Sequence, residues 1–132
     1  PAGRRGRSAG PPRLGTDQVS AVQKSSLDAL ARELLAAATA SSSGRAARTV
    51  HGGHEHVLRQ TVIALAAGQT LAEHDNPGEA TVHVLHGRVR LVAGTQSWEG
   101  RKGDLLIVPL ASHSLEADEN SAVLLTVAKT GR

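Results

Sequence analysis

Histidine supplies most of the chemistry open to this chain: there are seven of them and no cysteine, so thiolate ligation, thiol catalysis and disulfides are all excluded. His74 and Asn76 stand two residues apart, and in a strand such residues share a face. His113 lies well downstream, after Pro109. His86 precedes Gly87 and, in a regular strand, shares its face with Ala80, Val82 and Val84, so it is expected to look inward near one end of the fold. His54 and His56 form a His-x-His pair at the start of a strand, a spacing that fits a surface or interface as well as a metal. Arg59 has two readings. Turned inward, its guanidinium is a fork for a carboxylate or phosphate; turned outward, it pairs with Glu55, Glu73 or Glu99.

Several familiar chemistries are missing. The chain has no glycine-rich phosphate loop followed by Lys-Ser/Thr, no G-x-S-x-G elbow and no H-E-x-x-H helix. The segment GGHEH is not a variant of the last, because its histidines are two apart and the stretch reads as strand. With Trp98 as the sole aromatic residue, there is no stacking surface for nucleic-acid bases. Trp98 is instead expected to cover a sheet face.

These residues need elements to position them. Residues 1–24 are rich in Gly, Pro, Ser and Arg without apolar spacing and read as a disordered basic tail. Five basic side chains against Asp17 put the positive charge there; the rest of the chain carries ten basic and eleven acidic groups and is nearly neutral. The Arg4–Arg5 pair lacks the apolar run of an export signal, and no stretch is long and apolar enough for a membrane span. A cytoplasmic location is therefore expected, with neither nucleic acid nor membrane as partner.

Residues 26–40 read as an amphipathic helix within a segment 25–44. Ser25 or Ser26 serves as N-cap, Asp28 sits in the first turn, and Leu27, Leu30, Leu34 and Leu35 fall on one face. That stripe is expected to pack on the rest of the domain or on a second subunit. From about residue 49 the pattern becomes short β-rich runs: 56–65, 70–74, 81–86, 88–92, 96–99, 105–108, 112–117 and 122–128. Turn signals separate them, as in a sandwich or barrel occupying 45–132. Gly87 is the one break within TVHVLHGRVRL, which is either a tight hairpin or a bent strand.

Two glycine-anchored segments in this β region resemble the paired motifs of the cupin superfamily. Gly68, five residues, His74, one residue, Asn76 and later Gly87 follow the frame G-x5-H-x-H-x3–4-E-x6-G. After fifteen further residues, Gly103, five residues and Pro109 open a segment similar to G-x5-P-x-G-x2-H-x3-N, with His113 one residue short of the family's histidine and Ala111 in place of its glycine. The resemblance spans residues 60–128 and is closest to small single-domain conserved-barrel cupins. It implies an all-β fold, a cupin-type double-stranded β-helix or jelly-roll barrel, here preceded by the short helix and the tail. It also implies a homodimer.

In that family two histidines and a glutamate of the first motif, with a histidine of the second, hold a divalent metal. The resemblance carries this onto His74 and His113, with Asn76 at the second histidine position. The glutamate position falls on Ala80, and Glu79 is one residue away, on the opposite face unless a bulge near Pro77-Gly78 returns it. The expected metal set is therefore His74, His113, Asn76 and Glu79, holding one ion of Fe, Mn, Ni, Zn or Cu, with no organic cofactor. Arg59, His86 and His56 are the candidates for a ligand pocket. Three functions follow: a cupin binding a small molecule in its barrel, a metal-dependent enzyme of dioxygenase, isomerase or decarboxylase type, or a dimeric regulatory or structural module docking through its helix.

Overall fold

A computed structural model describes residues 21–74 and 78–129; most of the basic tail and Asn76 lie outside these. The helix forms where its capping predicts. α1 spans Leu27–Ala40, and the Ala29 backbone N–H donates to Ser26 Oγ at 3.2 Å. Nine strands follow among the described residues: β1 (Arg45–His51), β2 (Leu58–Leu65), β3 (Thr70–His74), β4 (Gly78–His86), β5 (Arg88–Ala93), β6 (Gln96–Arg101), β7 (Leu105–Ile107), β8 (His113–Ala117) and β9 (Ser121–Lys129). They build a five-stranded sheet, β1-β2-β9-β4-β7, and a four-stranded sheet, β3-β8-β5-β6.

Alternation along the central strands of the larger sheet sorts side chains into two cores. Val82, Val84, Val123 and Val127 face the smaller sheet, where they meet Val89, Leu91 and Leu115. Val62, Ala64 and Ala122 face the other way and are covered by Ala31, Leu34 and Ala38 of α1. The helix thus packs on its own barrel. Its buried line runs through two alanines and one leucine rather than through the leucine stripe, because small residues let the helix approach the sheet closely; Leu27, Leu30 and Leu35 flank it, partly buried.

β1 has no counterpart in the strand runs expected from the sequence. Its segment, RAARTVH, shows little apolar alternation, and only Ala46 and Val50 are partly covered. It is a strand because β2 and α1 make it one, with antiparallel pairing from Arg45 opposite Leu65 to His51 opposite Gln60.

Gly87 resolves the hairpin question. β4 belongs to the larger sheet and β5 to the smaller, so one continuous strand bends between sheets at this glycine. Its φ is +82°, and a Cβ there would lie 2.3 Å from the Asn120 carbonyl and 2.4 Å from Ser121 Oγ. The Arg88 backbone N–H donates to that same hydroxyl at 3.0 Å, locking the corner. On the outer face of the smaller sheet, Arg90 Nη2 sits 2.8 Å from Glu116 Oε1, and Arg88 Nε 3.3 Å from Glu99 Oε2. The Glu116 hydrogen bond holds the Arg90 guanidinium further above its ordinary pKa, with help from Asp118.

Leu34→Ala is expected to lower unfolding free energy by about 2–4 kcal/mol in urea melts, since it opens a gap between helix and sheet. Gly87→Ala is expected to cost at least as much, because both the conformation and the space are denied to a side chain.

Candidate ligand site in the barrel

The inner faces of both sheets enclose a hollow lined by Ile63, Leu71, Val82, Leu91, Val108, His113, Leu115, Val123 and Leu125, of which only His113 is polar. His113 owes its place to alternation along β8, where residues 113, 115 and 117 are buried and 114 and 116 are not. It is 5% exposed. The Nδ1–H donates to the Ala111 carbonyl at 2.8 Å, which fixes the ring's orientation and, in the neutral imidazole, leaves the lone pair on Nε2. The space left inside is about 20 Å³, room for one water-sized group. Anything larger must displace the part-buried Ile63, Leu71 or Leu125.

The two motif histidines come together in the backbone. His74 ends β3 and is the register partner of His113 on β8. Of the other expected ligands, Glu79 is not brought there. Asn76 lies outside the described residues. Glu79 is exposed, while Ala80 next to it is 4% exposed and part of the inner core. Regular pairing of β4 with β9, Glu79 opposite Ala128 and Ala80 opposite Val127, continues to this end of the strand, so no bulge returns the carboxylate inward.

His86 also departs from its expected inward position, and the cause is a bulge. Ala122 pairs with His86 but Val123 with Val84, which leaves Leu85 unopposed and breaks the alternation. Leu85 goes under the helix and His86 into solvent. His56 is exposed in the turn between β1 and β2, outside the barrel, with its ring against His51, a residue the sequence reading did not single out.

Arg59 keeps to the inner side of β2 without being buried. Its register partner is Val127, a member of the inner core, and it shares a side of β2 with Ile63, which lines the hollow. It is nevertheless exposed, because it stands near the strand's start, on the rung beyond the hollow. It pairs with neither Glu55 nor Glu99, the latter being taken by Arg88 and Arg101, and the Glu73 side chain lies outside what the structure describes.

Trp98 pairs with Leu91 across β6 and β5 and borders a shallow hollow of about 190 Å³ with Leu105, Ile107 and Pro109. It covers that sheet margin only in part, being 41% exposed.

Comparison with known proteins places this architecture. No family model matches, and neither does any curated protein. Solved structures do. A conserved protein of unknown function from Streptococcus pyogenes matches with TM-score 0.63 and 27% identity over 70% of this chain and 80% of that one. An RmlC-like cupin from Desulfovibrio desulfuricans matches with TM-score 0.57 and 26% identity over 64% and 82%. A cupin 2 conserved barrel protein from Leptotrichia buccalis matches with TM-score 0.60 and 26% identity over 64% of this chain and 41% of that one. The two-sheet barrel and these likenesses define a jelly-roll domain. The chain carries a small domain of the cupin superfamily.

Long-range 1H–15N NMR spectra of the histidines should show His113 as the Nδ1–H tautomer in the neutral protein. An Nε2–H tautomer contradicts the Ala111 anchor.

Proposed function

We propose that the barrel binds a small molecule with an apolar part and an anionic group, the first entering between the sheets and the second meeting Arg59 at the rim. The observation that carries this reading is a buried, oriented His113 as the single polar group among the described residues of an aliphatic lining. Such a pocket selects by shape and by one hydrogen bond. Arg59, on the inner side of its strand and unpaired among the described residues, supplies charge where solvent begins.

The described donors do not fit a closed metal centre. His113 faces in, Ala80 stands where the family pattern has its glutamate, and Glu79 is exposed. No group of three His, Asp or Glu suited to an ion occurs among the described residues. We therefore derive no metal-dependent step.

Methyl NMR with a panel of short-chain and aromatic carboxylic acids tests the reading. At least one acid should shift the Val82, Leu115 and Leu125 methyls, and Arg59→Ala and His113→Ala should each weaken it by about tenfold or more. Two results would sink it: no acid reaching these methyls at millimolar concentration, or stoichiometric Fe, Mn, Ni, Zn or Cu in tag-free protein that disappears in His113→Ala.

The same reading includes a second copy of the chain. β6 and β7 are the edges of their sheets, and Trp98, Leu105, Ile107 and Leu110 beside them are 41%, 59%, 70% and 85% exposed. An apolar margin on two open edges is covered most simply by the same margin of another protomer, related by a twofold axis. Light scattering should then report a dimer that Ile107→Lys converts to a monomer; a monomeric parent chain at 100 μM or so excludes the arrangement.

A further inference from the structure

We propose that His51 and His56 form a surface site, outside the barrel, for a divalent transition metal of the class that imidazole prefers: Cu²⁺, Ni²⁺ or Zn²⁺. The two rings stand with centroids 5.0 Å apart and planes inclined at 70°. An ion bonded about 2.1 Å from one nitrogen of each ring, at a tetrahedral or right angle, puts the centroids roughly 4.5–5 Å apart. The observed spacing matches that of two ligands on one ion, and it is also within the range of edge-to-face ring packing. Four residues of sequence separate the pair, and the tertiary turn closes the gap.

That turn is built rather than loose. Gly52 has φ +107°, and a Cβ on it would lie 2.5 Å from the Leu58 carbonyl and 2.7 Å from Arg59 Cα, so only glycine permits the close reversal between β1 and β2. The His56 backbone N–H donates to the Gly53 carbonyl at 3.3 Å, and Lys129 Nζ donates to the same oxygen at 2.8 Å. The Lys129 backbone N–H donates to the Val57 carbonyl at 2.8 Å. The end of β9 thus ties down both sides of the loop, and the backbone that carries His56 is fixed relative to the end of β1.

Both histidines are exposed, so an ion reaches them directly. No third His, Asp or Glu among the described residues closes the shell, which leaves the other coordination positions to water or to a ligand carried by the ion. There is room for one: the pair borders an open hollow of about 590 Å³, walled on the far side by Ala21 and Gln23 of the segment that leads into α1. Imidazole donors without thiolate or a carboxylate cage favour Cu²⁺, Ni²⁺ and Zn²⁺ over Mg²⁺ or Ca²⁺. The alternative role for the contact is ring packing alone, which stabilises the turn and binds nothing.

The test is calorimetric titration of the tag-free chain with ZnCl₂, followed by NMR with substoichiometric Cu²⁺. One zinc per chain is expected at this site, with Kd on the order of 1–100 μM. His51→Ala and His56→Ala should each weaken it at least tenfold, whereas His113→Ala should leave it intact, which separates this site from any event in the barrel. Copper should broaden the amide signals of residues 51–57 before all others. His56→Gln, which keeps a polar group of similar reach, guards against a folding artefact and should behave as His56→Ala does. Zinc binding that survives either alanine variant, or none tighter than about 1 mM, overturns the proposal.

Discussion

The structure depends on β9 being buried on both faces. It lies between β2 and β4 in the middle of the larger sheet, its residues pairing on both sides along nearly its whole length. Because side chains alternate, each neighbouring pair on this strand serves two different cores: Val123 and Val127 go to the barrel interior, Ala122 to the space under α1. A chain without phenylalanine or tyrosine has only aliphatic side chains and one tryptophan with which to fill those spaces. The helix is therefore part of the domain, since without it the outer face of β2, β9 and β4 would present Val62, Ala64 and Leu85 to water.

The same alternation decides what the barrel can do. At Glu79–Ala80 a shift of one residue separates a carboxylate in solvent from a methyl group in the core, and the pairing with Ala128 and Val127 holds that choice firmly. At Leu85 the rule is broken by a single unopposed residue, and His86 goes outward as a result. His113 is a polar group that alternation does carry inward, and the Ala111 carbonyl makes it tolerable there by accepting a hydrogen bond from Nδ1–H. Among the described residues the interior thus holds one oriented imidazole within aliphatic walls, while Arg59 stands on the next rung of β2, exposed, where its guanidinium keeps its hydration.

Outside the barrel the surface is divided by chemistry. Arginine and carboxylate pairs cover the outer face of the smaller sheet, an apolar margin follows β6 and β7, and a glycine-hinged turn carries the two facing imidazoles. None of the described helical structure is long and apolar enough to cross a membrane.

Much of this was legible in the residues themselves. Local rules suffice for α1, with its serine cap and acidic first turn, and for most strands, whose turns are marked by Gly, Pro, Asn and Asp; the spacing of Gly68, His74, Gly87, Gly103 and Pro109 then points to the barrel. Tertiary structure alone decided the rest, for reasons that periodicity cannot carry. β1 is a strand through pairing and cover rather than through its own pattern, and the Leu85 bulge leaves no mark in composition. The direction of Arg59 depends on how far along the sheet the core extends, and His51 meets His56 only because a close reversal at Gly52 folds one strand end back upon the next.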